Sequence, residues 1–317
     1  MSIIHKELHV KYIQQLNTQP DHLEHWLTEH LRLNGIYWGI TALTLLDRID
    51  ALPRDEIIKF VLSCFDENSG TFAPYPGHDG HMLATLSGVQ ILAIYDSIDS
   101  LTNEQIESIV KFVVTNQLED GSFQGDQFGE VDTRFIYNGL ATLKLLGRLT
   151  DNIVDSAVDY IKRCRNFDGG YGLCIGAESH SAQVFTCLGA LALTGKLDTI
   201  LTKDEQEQTA WWLCERQVNE GGFNGRPSKL PDACYSWWVG ASLAILGKID
   251  WINGDDLEKF LLKCQDEERG GFSDRPGNET DVFHTIFSLA GLSLVGKQDL
   301  MPIDPKYCLP PSVTCKL

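Results

Sequence analysis

Two kinds of apolar pattern alternate along this chain, and the alternation predicts a helical repeat. The segments PRDEIIKFVLSCF, TNEQIESIVKFVVTNQ, TDNIVDSAVDYIKRCR, TKDEQEQTAWWLCERQ and NGDDLEKFLLKCQ have the spacing of amphipathic helices with one wet face. Thr102 with Gln105, and Thr202 with Glu205, have the spacing of capping boxes at two of their starts. Between them lie segments that are apolar nearly all round and rich in small residues, such as LATLSGVQILAIYDSI, SAQVFTCLGALALTGKL and VFHTIFSLAGLSLVGK. Gly147, Gly195, Gly247 and Gly296 stand near the ends of four of these, where C-terminal caps belong. A helix that is apolar on every side must be buried on every side. The pattern therefore predicts an outer ring wrapped around an inner ring of six helices, an all-α (α/α)6 barrel or toroid. An open solenoid would expose the inner set on its concave face. Strand signals are weak throughout.

A glycine–aromatic signature punctuates the repeat five times: SGTFAPYPG, DGSFQG, DGGYG, EGGFNG and RGGFSDRPG. Its anchors Phe72, Phe123, Tyr171, Phe223 and Phe272 are 51, 48, 52 and 49 residues apart. Glycine supplies tight turns there, and the aromatic ring plugs the boundary between layers. The chain reads as one domain over residues 1–317, with a helical extension at 1–33, repeats over 34–297 and a tail at 298–317.

Nine residues after each anchor come His81, Asp132, His180, Asp232 and Asp281, at the first turn of each inner helix. In a closed ring these turns share one mouth, where helix N-termini offer free N–H groups and favour an anion. Asp132 and Asp281 read as N-caps alone. Asp232 stands out because Cys234 follows it and His284 occupies the corresponding turn of the next unit. Carboxylate, thiolate and imidazole form a three-ligand set suited to Zn²⁺ with a fourth position open, the arrangement of a catalytic ion. By spacing alone, D-x-C with a distant histidine reads by default as a packed thiol and a satisfied imidazole. The repeat phase is what singles it out.

Composition narrows the chemistry. A net charge of −18 over 317 residues argues against nucleic-acid binding, which needs clustered Lys and Arg. Nine cysteines without a CxxC pair read as reduced thiols, with Cys64, Cys164, Cys214 and Cys264 as small apolar groups ending helices. No apolar run reaches the ~20 residues of a membrane span, and Cys315 sits one place too late for a prenylation box. A cytoplasmic protein, not integral to a membrane, is expected. Against the acidic background, Arg226 and Lys229 stand out beside the metal candidates, with Arg134 and His180 from the two preceding units and Tyr235 after the thiol. Donors gathered at helix N-termini describe a diphosphate site. Tyr37, Trp38, Phe135, Tyr137, Phe185, Trp237, Trp238, Phe283 and Phe287 lie on the inner helices, where an aromatic-walled cavity suits a prenyl chain. Zinc would hold a substrate thiol as thiolate, and the reaction that fits is S-prenylation.

From about Asn34 to the last inner helix, the chain resembles the β subunits of protein prenyltransferases, and among them the Rab geranylgeranyltransferase (type II) group. The segments GIYWG, GEVDTRF, GAESHSAQ, GRPSKLPDACYSWW and GGFSDRPGNETDVFH carry the resemblance. It implies a geranylgeranyltransferase in which Asp232, Cys234 and His284 bind zinc and share the catalytic centre with Tyr235. His180, Arg226, Lys229 and Tyr235 would hold the prenyl diphosphate, with Arg134 nearby and Trp238 beneath. Asp274 matches an aspartate linked with Mg²⁺ in farnesyltransferases. Asn34 and Leu86 match chain-length positions where the farnesyl enzyme carries large aromatics, which implies room for geranylgeranyl diphosphate. The resemblance further implies a heterodimer with a prenyltransferase α subunit, and Rab GTPases presented by a Rab escort protein. The alternative within the family is a farnesyl or type I β subunit acting on CaaX proteins. A terpene cyclase would need a D-x-D-D run facing the cavity, but the adjacent Asp255 and Asp256 start an outer helix.

Overall fold

The six apolar segments and their polar-faced partners form the helices the pattern demands. In the computed structural model, which describes residues 3–16 and 27–317, twelve long helices alternate between two layers. The inner set is α2 (Arg32–Leu45), α4 (Met82–Ile94), α6 (Thr133–Leu145), α8 (Ser181–Leu193), α10 (Tyr235–Ile245) and α12 (Val282–Leu294). The outer set is α1 (Lys6–Gln15), α3 (Arg54–Ser63), α5 (Asn103–Thr115), α7 (Asp151–Cys164), α9 (Lys203–Cys214) and α11 (Gly254–Cys264). Each inner helix packs on the next, and α12 returns to α2, so the inner ring closes. The two capping boxes form as expected, at Thr102 with Gln105 and Thr202 with Glu205. Gly147, Gly195, Gly247 and Gly296 cap helix ends at positive φ; Asp47 and Asp96 take that role in the first two units.

All five aromatic anchors are fully buried. Each pairs backward in an antiparallel bridge with the residue leaving its outer helix; the first pair extends to a short hairpin, β1 (Phe65–Asp66) with β2 (Thr71–Phe72). Cys64, Cys164 and Cys264 are buried just before these bridges and Cys214 half-buried, all as free thiols. The turns lean on the next outer helix so closely that a Cβ at Gly121 would stand 2.0 Å from the Ser156 carbonyl oxygen, and one at Gly221 2.2 Å from that of Asp256. In four units the residue nine after the anchor donates its N–H back to the anchor's carbonyl: His81 to Phe72, His180 to Tyr171, Asp232 to Phe223 and Asp281 to Phe272. That bond fixes the phase read in the sequence.

Both ends of the chain take part in closure. The expected extension at 1–33 lies partly outside the described residues, but α1 occupies the sixth outer position. His9 anchors it: Nδ1 accepts the Gly271 N–H, Nε2 donates to Gln265 Oε1, and the ring stacks on Phe272. The tail turns inward and plugs the far end of the barrel. Tyr37 donates to the Cys308 carbonyl, Tyr137 to that of Lys306 and Gln90 to that of Tyr307, so three inner helices hold its backbone. The mouth bearing the inner-helix N-termini is left as the chemical end.

Candidate active site at the mouth of the barrel

The five residues of the repeat phase do the same local work. His81, Asp132, His180, Asp232 and Asp281 each accept a backbone N–H at the start of an inner helix, from Leu83, Arg134, Ala182, Cys234 and His284. Satisfying that orphan donor is the ordinary task of a cap. What differs is where the rest of each side chain goes.

Asp232, Cys234 and His284 converge, with one ligand atom from each lying within 4.8 Å of the others. Cys234 is buried, while Asp232 and His284 are half-buried. His284 Nε2 lies 3.3 Å from Asp232 Oδ1, and its Nδ1 lies 2.6 Å from Asp281 Oδ2. Burial alone would raise the Asp232 carboxyl, but hydrogen bonds from His284 and Cys234 outweigh it and hold it below the usual range. Burial, reinforced by the Asp232 charge, pushes the Cys234 thiol well up. Burial pulls the His284 imidazole down, yet the flanking carboxylates win and raise it to about 9. The cluster sets a buried thiol beside two carboxylates and an imidazole whose protonated form they favour.

Asp281 does more than the capping expected of it. One oxygen caps α12 through the His284 N–H at 2.8 Å, and the other takes the His284 Nδ1 proton, turning Nε2 toward Asp232 and Cys234. A carboxylate behind the imidazole is the usual support of a metal-ligating histidine. Its sequence signal is the D-x-x-H spacing, which puts both side chains on one helical face.

The diphosphate candidates gather next to this cluster, with uneven closeness. Tyr235 follows Cys234 directly, and its hydroxyl lies 3.2 Å from His180 Nε2. His180 Nδ1 is committed as acceptor to the Ala182 N–H, so in the neutral ring the proton sits on Nε2, facing Tyr235. Burial and then the Arg226 charge lower the His180 pKa; burial, Cys234 and Asp232 raise Tyr235 to about 12. Gly225 makes this approach feasible, since a Cβ there would fall 2.3 Å from the Tyr235 hydroxyl and 2.7 Å from His180 Nε2. Arg226 is half-buried and paired with Glu178. Arg134 comes from the unit before, held by Asp132 at 3.0 Å and Glu130 at 3.2 Å. Lys229 lies on the same loop as Arg226 with its side chain in solvent.

Other expected residues sit farther out or are otherwise engaged. Asp274 lends its backbone carbonyl to the Ala233 N–H, but Arg275 occupies one carboxylate oxygen and Asn278 the other. Trp238 belongs to an aromatic wall, 5.2 Å from Phe185 and 4.7 Å from Phe287 between ring centres, which Phe283 and Trp38 continue. Asn34 Nδ2 donates to Ser87 Oγ at 2.9 Å, linking α2 to α4, and Leu86 is buried one residue away. No helix among the described residues is long and apolar enough to cross a membrane.

A family model described as the prenyltransferase alpha-alpha toroid domain matches residues 4–309. The geranylgeranyl transferase type-2 subunit beta of Saccharomyces cerevisiae is 61% identical over 98% of this chain and 95% of its own length. The type-2 subunit beta 1 of Arabidopsis thaliana is 47% identical over 98% of this chain and 94% of its own. Among solved structures, Candida albicans protein geranylgeranyltransferase-I complexed with GGPP superposes with a TM-score of 0.87, covering 99% of this chain and 98% of that one. At 24% identity that match speaks for the fold alone. The chain belongs to the prenyltransferase α/α toroid family, in its branch of geranylgeranyl transferase type-2 β subunits.

Proposed function

We propose that this chain is the catalytic β subunit of a Rab-type geranylgeranyl transferase, moving the geranylgeranyl group from its diphosphate to C-terminal cysteines of Rab GTPases. The observation that carries the reading is the continuity of two sites. Cys234 and Tyr235 are neighbours in sequence, one in the Asp–Cys–His cluster and the other at 3.2 Å from His180 among the diphosphate donors. A sulfur acceptor and a phosphorylated alcohol would meet on adjoining turns of one rim.

The donor set fits a zinc ion. One carboxylate, one thiolate and one imidazole, with Asp281 behind the imidazole, match the chemistry of a catalytic site with an open position. Bound there, zinc would keep an acceptor cysteine as its thiolate near neutral pH. Mg²⁺ at Asp274 would share the carboxylate with Arg275 and Asn278, which each engage one of its oxygens.

The chain's own residues would do the remaining work. His180 Nε2–H and the Tyr235 hydroxyl donate to the diphosphate, Arg226 and Lys229 supply charge, and Arg134 adds to it from the preceding unit. The N-terminus of α8 faces the same anion. As the S–C1 bond forms and the C1–O bond breaks, negative charge collects on the departing diphosphate, where fixed donors stabilise it most. Trp238, Phe185 and Phe287 would line the lipid's path, and the modest bulk of Asn34 and Leu86 would leave room for the longer chain. An α subunit completes the enzyme, a Rab escort protein presents the substrate, and the assembly works in the cytoplasm.

The test is Cys234→Ala in the reconstituted heterodimer, with zinc measured alongside transfer to escort-bound Rab. Loss of zinc together with transfer is expected. Stoichiometric zinc and undiminished transfer would sink the assignment.

A further inference from the structure

Arg226, offered above to the diphosphate, already holds an anion. Its guanidinium is paired with Glu178, which belongs to the preceding mouth loop and stands two residues before the cap His180. Arg226 is 38% exposed and Glu178 60%, and so open a pair contributes little to holding a fold together. The preceding unit also pairs a carboxylate of this phase, there with an arginine of its own helix start. Glu130 stands two residues before the cap Asp132 and binds Arg134 at 3.2 Å. A carboxylate presents the same two-oxygen edge to a guanidinium that a phosphate does.

We propose that Glu178 is an internal stand-in for diphosphate on Arg226, a reading that rests on the function proposed above. It occupies the guanidinium between turnovers, gives way to the incoming prenyl diphosphate and reclaims the guanidinium as diphosphate leaves. In a chain of net charge −18, this exchange keeps the mouth from retaining the multiply charged product. Glu178 touches neither the lipid nor the acceptor thiol. It acts through Arg226, as a positioning residue that sets how tightly diphosphate is held.

Titration calorimetry with inorganic diphosphate, on the chain assembled with its α subunit, tests this. Glu178→Gln keeps the side chain's size and removes its charge. It should tighten diphosphate binding about fivefold to tenfold at low ionic strength, by less as salt screens the site. In an Arg226→Ala background the same substitution should change affinity less than twofold. Unchanged or weaker binding by Glu178→Gln, or a full gain without Arg226, overturns the stand-in role alone. Absence of diphosphate binding by the unsubstituted enzyme overturns the diphosphate site itself, and the stand-in role with it.

Discussion

Replacing Asp281 by asparagine separates its two tasks. Asparagine is as good an N-cap as aspartate, so its amide oxygen can still accept the His284 N–H that Asp281 Oδ1 now takes at 2.8 Å. The other position changes sign. Asp281 Oδ2 accepts the His284 Nδ1 proton at 2.6 Å, whereas an amide nitrogen there must donate. Nδ1 then becomes the acceptor and the proton moves to Nε2, the nitrogen that faces Asp232 and Cys234. A protonated nitrogen cannot ligate. Loss of such a supporting partner typically costs about 10- to 100-fold in metal affinity, or about 1.4–2.7 kcal/mol. The retained cap keeps the stability change below about 1 kcal/mol, a shift of no more than about 4 °C in a domain of this size. Zinc affinity by chelator competition, with a thermal melt alongside, reads both effects. Asp132→Asn is the control, since that cap sits on α6 beside Arg134. Wild-type zinc affinity in Asp281→Asn, or an equal loss in Asp132→Asn, would mean that Asp281 does not support His284 as a ligand.

Gly225→Ala places a methyl group 2.3 Å from the Tyr235 hydroxyl and 2.7 Å from His180 Nε2, so both donors must shift. Hydrogen bonds to a charged group contribute about 1.5–3 kcal/mol, so at least a tenfold rise in KM for prenyl diphosphate is expected, and an unchanged KM would count against the two donors. His9 makes acid stability a test of barrel closure. Burial holds its folded pKa down at about 4 against an ordinary 6.5, so the ring stays neutral in the fold. Above pH 6.5 it contributes no pH dependence; as pH falls from 6.5 toward 4 the unfolded chain takes up a proton that the folded one refuses. Stability should drop by about 3 kcal/mol across that window and level off below it. Urea unfolding at several pH values should show this component in the wild type and its absence in His9→Gln. Parallel curves for the two proteins would mean that His9 is not held neutral.

The ring and its phase are written in local pattern. Apolar periodicity separates the two layers because a helix's partners decide which of its faces are apolar, and five buried anchors mark the turns. Asp232, Cys234 and His284 were legible for the same reason: a fixed period puts positions distant in sequence at one mouth, and the cluster's ligand atoms lie within 4.8 Å. Tertiary structure decided what periodicity cannot carry. Asp132, Asp232 and Asp281 share one phase and each accepts a backbone N–H, yet their carboxylates also meet Arg134, His284 Nε2 and His284 Nδ1. Asp132 and Asp281 meet residues of their own helix start, and only Asp232 reaches into the next unit. The closing elements were hidden as well. The α1 helix and the tail belong to no repeat, and they are held by contacts across most of the chain, His9 with Gly271 and Tyr37 with Cys308. Helix patterns are local, set by the turn above and the turn below. Partnership across the ring is not, and only the folded chain settles it.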